Sequence, residues 1–199
     1  MIFRDLGRQP LPAVWTDMQR FTDTRSEETP DEVWFVEHPP IYTLGMNADR
    51  RHVLDPGDVP VLQIDRGGQV TYHGPGQLVA YTLVDLRRHG LTVRALVSAL
   101  EAAVVDAVAS YGIEAQGRCD ARGVYVGESK LAAIGLRVRR HCSYHGLAVN
   151  VAMDLSPFER INPCGFEALE VTQLKDLCRS ASVADLRDKL QGSLERRLG

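Results

Sequence analysis

The sequence predicts an α+β fold in which a mixed β-sheet is flanked by helices. Three observations lead there. Two long segments carry apolar residues at helical spacing, and six short runs are rich in β-branched and aromatic residues. These runs fall before and after the central helix, without the regular alternation of a βαβ chain.

In chain order, residues 12–21 form a weak amphipathic helix, and 33–36, 61–64 and 78–86 read as strands. Val93, Leu96, Val97, Leu100, Val104, Val108 and Tyr111 then mark one face of a helix, with Thr92 placed to cap it and Gly112 to end it. Residues 124–126, 131–138 and 147–151 are further strands. Val183, Leu186, Leu190, Leu194 and Leu198 form the stripe of a last helix, opened by Ser182 and Asp185 at capping-box spacing. With 199 residues, the expected organisation is one domain spanning 1–199.

Composition narrows the function. Hydrophobic residues at 44% and charged residues at 25% are ordinary for a folded soluble protein, and a net charge of -3 gives no support to nucleic-acid binding. No apolar run suits a membrane span or a secretory signal, so a cytoplasmic chain with reduced thiols is expected. The basic run Arg137, Arg139, Arg140 and His141, with Arg118 and Arg122 upstream, either steers an acidic partner or is a solvated strand end.

Pro and Gly punctuate four turns: 38–40, 67–68, 74–76 and 162–165. In the last, Cys164 stands between Pro163 and Gly165, a frame that Cys119, Cys142 and Cys178 lack. A thiol of ordinary pKa, roughly 8.5, is only slightly ionised at neutral pH, so a nucleophilic Cys164 requires a cation or base nearby. His73 and His145 are candidates. So is Lys130, one of three lysines, which lies beside an apolar strand and can equally be a strand-edge residue with a solvated head.

Taken together, Glu37-His38-Pro39-Pro40-Ile41-Tyr42-Thr43-Leu44-Gly45 and Arg66-Gly67-Gly68-Gln69-Val70-Thr71-Tyr72-His73-Gly74-Pro75-Gly76-Gln77-Leu78 resemble the octanoyltransferase (lipoate-protein ligase B) family. The resemblance continues in Lys130 to Gly135, in His145-Gly146-Leu147-Ala148-Val149-Asn150 and in Asn162-Pro163-Cys164-Gly165, in the same order and spacing. It implies the fold of the biotin and lipoate ligase catalytic domain. It also implies transfer of an octanoyl group from acyl carrier protein to a lysine of lipoyl domains, in dehydrogenase complexes and the glycine-cleavage H protein.

By the same resemblance Cys164 forms the acyl-thioester, while Lys130 lowers its pKa and shuttles protons. Arg66, Gly67, Gly68, Gln69, Val70, Thr71, Tyr72 and His73 would line the acyl site, with Ala133, Ile134 and Gly135 and with Gly146, Leu147 and Ala148. No metal or cofactor is called for, no nucleic acid or membrane is a partner, and the chain is expected to be a monomer. Three other readings stay open at this point: an ATP-dependent lipoate or biotin ligase, a Cys-His thioester hydrolase with His73 or His145 as base, and an acyl- or metal-binding module using His141, Cys142 and His145.

Overall fold

The computed structural model describes residues 1–118, 121–163 and 169–199. Cys164 and Cys119 lie outside the described residues. Among these, ten strands form two sheets. The larger sheet has the order β1-β2-β6-β10-β9-β8-β7, from β1 (Ile2–Arg8), β2 (Glu32–Glu37), β6 (Gln77–Leu83), β7 (Gln116–Gly117), β8 (Gly123–Val126), β9 (Ser129–Arg139) and β10 (Cys142–Asn150). Only its β1·β2 pair is parallel, which makes the sheet mixed as expected. The smaller sheet, β4-β3-β5, joins β3 (Ile41–Leu44) to β4 (Val61–Gln63) in parallel and to β5 (Val70–His73) antiparallel.

Alternation along the strands divides the core into two layers. On one face, Val33, Phe35, Leu78, Ala80, Leu147 and Val149 pack against α2 (Val93–Ala109) and α4 (Val183–Leu198). On the other, Trp34, Val36, Val79, Tyr81, Tyr144 and Ala148 meet Val14 and Met18 of α1 (Leu11–Thr24). The smaller sheet lies on this α1 side, where Leu11 packs with Ile41 and Ile64.

The helix ends follow their sequence signals. Thr92 accepts the amide of Ala95, and Ser182 accepts the amide of Asp185. The expected stripe of α2 is offset: Val93 is exposed, and Ala103 and Ala107 complete the buried face. The helix expected at 12–21 begins at Leu11 and runs to Thr24, with Pro12 in its first turn, where a missing amide costs nothing. The strand expected at 78–86 ends at Leu83.

The basic run is the tip of the β9·β10 hairpin. There Arg139 pairs with Asp23 and Arg140 donates to the Asp23 carbonyl. These contacts support the solvated strand-end reading, since the tip is the far end of β9 from Lys130 and the two arginines upstream are also paired, Arg118 with Glu128 and Arg122 with Glu101. No helix among the described residues is long and apolar enough to cross a membrane.

Candidate active site

A cleft of about 770 Å³, partly open to solvent, lies between the smaller sheet and the α1-side face of β6, β10 and β9. The register explains its floor. Ala133 pairs with Ala148 and Gly135 with Gly146, while Ala148 and Gly146 face Val79 and Tyr81 on β6. Paired residues share a face, so these positions form one surface of mostly small side chains.

Strict alternation from Ala133 and Gly135 would send Lys130 to the opposite face. The pairing of β8 with β9 steps from Val124↔Ala132 to Tyr125↔Lys130, so one extra residue is inserted in β9 at Leu131. A bulge of this kind re-aims a side chain. It keeps Leu131 in the α2-side core and brings Lys130 to the cleft wall, where it is 4% exposed.

The Lys130 amine donates to the Arg122 carbonyl at 2.9 Å and lies 5.4 Å from the centre of the Tyr125 ring. It is therefore not the solvated edge lysine that spacing alone allowed. Gly123 makes the room: at φ +147° its backbone disfavours a side chain, and an added Cβ would stand 2.6 Å from the Lys130 Cε and 2.4 Å from the Ala132 carbonyl oxygen. Gly123→Val is expected to cut acyl transfer more than it lowers Tm, a comparison read from kcat and a thermal melt of the same preparation.

Both described ends of the segment carrying Cys164 are fixed at this cleft. Before it, Val53 bridges Ile161, the Asn162 amide donates to the His52 carbonyl, and Pro163 lines the cleft. After it, the chain returns beside β9, with the Lys130 amide donating to Glu170 O and the Thr172 amide to Lys130 O, and Val171 on the cleft wall.

A buried polar chain supports the same region, and its donors can be assigned. The Gln77 Nε2 donates to the Tyr72 carbonyl and to Asn150 Oδ1, so its Oε1 faces His73 and accepts from Nδ1. The other ring nitrogen, Nε2, then accepts from the Thr43 hydroxyl, which in turn receives the Arg66 guanidinium. At its far end Asn150 donates to the Thr172 carbonyl. With both nitrogens committed, His73 is not available as a general base. Its pKa is pushed down to about 3, first by burial and then by the neighbouring His38.

Burial also depresses His38, to about 4, while Nδ1 donates to the Gln9 carbonyl and Nε2 accepts from the Tyr81 hydroxyl. Both histidines fold neutral, with pKa values below their ordinary 6.5. As pH falls below about 6.5 the unfolded chain takes up protons that the folded one refuses, so stability is full above that pH and declines toward pH 4. The slope is about 1.4 kcal/mol per pH unit per histidine. Thermal melts across this range should show it, and His38→Gln should flatten the slope.

Of the residues expected at the acyl site, Arg66, Gly68, Gln69, Val70, Thr71, His73, Ala133, Ile134, Gly135, Gly146, Leu147 and Ala148 line the cleft with Lys130. Two do not. Tyr72 alternates with His73 on β5 and turns away to pack on Tyr42 and Phe158, so it does not help His73 wall a tunnel. Gly67 uses its amide on the Leu136 carbonyl and only brings the smaller sheet down onto β9. The cleft also has Val79, Tyr81 and Phe158 in its lining, which alternation could have indicated for β6 but nothing signalled for the 3-10 turn Ser156–Arg160. His141 sits exposed at the hairpin tip, Cys142 is buried and His145 faces the cleft, so these three do not converge.

The architecture is that of the ligases that attach lipoate and biotin to proteins. The lipoyl protein ligase A/B catalytic domain matches residues 10–195. A lipoate-protein ligase A solved with ATP superposes with a TM-score of 0.81 at 16% identity, covering 100% of this chain and 86% of that one. A biotin protein ligase from Aquifex aeolicus superposes with a TM-score of 0.62 at 11% identity, covering 99% and 69%. At these identities the likeness is one of fold. Closer in sequence is an octanoyltransferase of Alkalilimnicola ehrlichii, 62% identical over 87% of this chain and 81% of its own. Another, from Shewanella sp. (strain MR-7), is 53% identical over 98% of this chain and 90% of its own. The chain belongs to the octanoyltransferase family and is an acyltransferase.

Proposed function

We propose that the chain, as a single catalytic domain, moves an octanoyl group from octanoyl-acyl carrier protein to a lysine of a lipoyl domain, by way of a thioester on Cys164. The observation that supports this most is the setting of Lys130: a β-bulge aims a buried amine at the same cleft that Pro163 and Val171 line on either side of the Cys164 segment. A Cys with an amine as proton carrier is a sufficient set for acyl transfer between two large proteins, because a covalent intermediate lets the donor leave before the acceptor docks.

In the first step the Cys164 sulfur attacks the donor thioester carbonyl. A new C–S bond forms, the donor's C–S bond breaks, and the thiol proton passes through Lys130 to the departing phosphopantetheine thiolate. In the second, the acceptor amine attacks the enzyme thioester, the amide forms, and the amine proton passes through Lys130 to the Cys164 sulfur. Backbone amides near Cys164 and in the glycine-containing segments are suitable donors to the oxyanion of each step. The apolar floor keeps the acyl chain, and the thioester beside it, away from water.

Octanoyl transfer from the carrier to a purified lipoyl domain without ATP tests the overall reaction. A requirement for ATP and free octanoate would favour the ligase reading instead. Loss of thioester at a rate indifferent to the lipoyl domain, with no acylated domain formed, would favour hydrolysis.

A further inference from the structure

The cleft has a polar end that acyl transfer at Cys164 does not use. One rung beyond Gly135↔Gly146, at Leu136↔His145, the Asp65 carboxylate gathers three donors: Trp15 Nε1 at 2.8 Å, His145 Nε2 at 2.9 Å and the Tyr144 hydroxyl. Trp15 belongs to α1, Tyr144 and His145 to β10, and Asp65 to the chain between β4 and β5. One carboxylate therefore joins the helix, the larger sheet and the smaller sheet at the point where they close over the cleft. The Tyr81 ring stands edge-on to His145 at 6.1 Å, and both line the cleft.

The backbone is bent to achieve this. Neighbours on a strand point to opposite faces, yet Tyr144 and His145 reach the same carboxylate, with their rings stacked at 5.1 Å. His145 is left-handed at φ +59°, a conformation that a non-glycine residue keeps only where its surroundings enforce it. Burial holds the imidazole neutral against the pull of Asp65, so the ring presents a fixed, uncharged wall.

We propose that the Tyr81, His145 and Asp65 cluster is the end stop that measures acyl length, with His145 the specificity-determining residue. This rests on the reading above, in which the chain enters from the Lys130 end. An extended alkyl chain advances like extended backbone, about 3.3 Å for every three bonds, so the seven C–C bonds of an octanoyl group cover roughly 8 Å, between two and three strand residues. A carbonyl near the Ala133↔Ala148 rung places the terminal methyl just short of His145. Each methylene that fits an apolar wall contributes about fourfold in affinity, and one pressed on a fixed ring network contributes nothing and is excluded.

The test compares octanoyl, decanoyl and dodecanoyl carrier protein as donors, measuring kcat/KM for acyl-enzyme formation in the wild type and in His145→Gly. Glycine accepts the left-handed backbone and removes the imidazole. The wild type should discriminate against dodecanoyl by at least tenfold, and His145→Gly should raise the dodecanoyl-to-octanoyl ratio by about tenfold or more. A wild type that accepts dodecanoyl as readily as octanoyl overturns the proposal, whether or not the variant folds. So does a folded His145→Gly protein with an unchanged ratio. Failure of the wild type to form any acyl-enzyme would instead refute the thioester reading on which the cleft assignment rests.

Discussion

Replacing Cys164 by alanine is expected to abolish octanoyl transfer to a lipoyl domain, leaving only the background reaction between thioester and amine in solution. Without sulfur there is no covalent intermediate, and two bulky proteins would have to meet at one cleft simultaneously. The loss should appear entirely in kcat, with the fold intact, because the flanking chain is held by contacts that do not involve the thiol: Asn162 to His52, Val53 to Ile161, and Lys130 to Glu170 and Thr172. An unchanged melting temperature together with no octanoylated acceptor by mass spectrometry is the expected pair of results. A Cys164→Ala protein with full activity would sink the mechanism.

Lys130→Ala should reduce transfer by about 10²–10⁴-fold, the usual range for losing a positioned proton carrier. Both half-reactions should slow, since the same amine serves each. The alternative, that Lys130 only braces the Arg122 carbonyl and the Tyr125 ring, predicts instead a lowered melting temperature with kcat nearly preserved in the folded fraction. Lys130→Arg separates the two further, because it keeps a donor for the Arg122 carbonyl but does not give up a proton. Activity recovered by arginine would contradict the proton-carrier role.

Much of this architecture was legible from spacing. The caps at Thr92 and Ser182, the stripe of α4 and the inner strands β2, β6, β8, β9 and β10 all follow from periodicity that tertiary structure reinforces. The smaller sheet was less so. β3 and β5 are four residues each and adjoin Pro39-Pro40 and Gly74-Pro75, so their turn signals outweigh their strand pattern. That omission carried a consequence: without β5 as a strand, Tyr72 and His73 are both expected to line the acyl site, whereas a period of two allows only one of them.

Two features of the site have no local signal at all. The aim of Lys130 depends on an inserted residue in β9, and a bulge is decided by pairing with β8 and with 170–172 rather than by the residues that form it. The left-handed turn at His145 is likewise imposed by Asp65, eighty residues away in the chain. Sequence alone could name His145 as a candidate base but not its partner or its backbone conformation. The structure gives it a hydrogen bond to a carboxylate and a place on the cleft wall at once.

The most direct test of the central claim is the intact mass of the wild-type chain after incubation with octanoyl-acyl carrier protein and no acceptor. A gain of one octanoyl group, mapped by peptide analysis to Cys164 and discharged when a lipoyl domain is added, is the result expected. Octanoylation of the lipoyl domain by a chain that never carries the adduct, or an adduct that persists unchanged in Cys164→Ala, would contradict it.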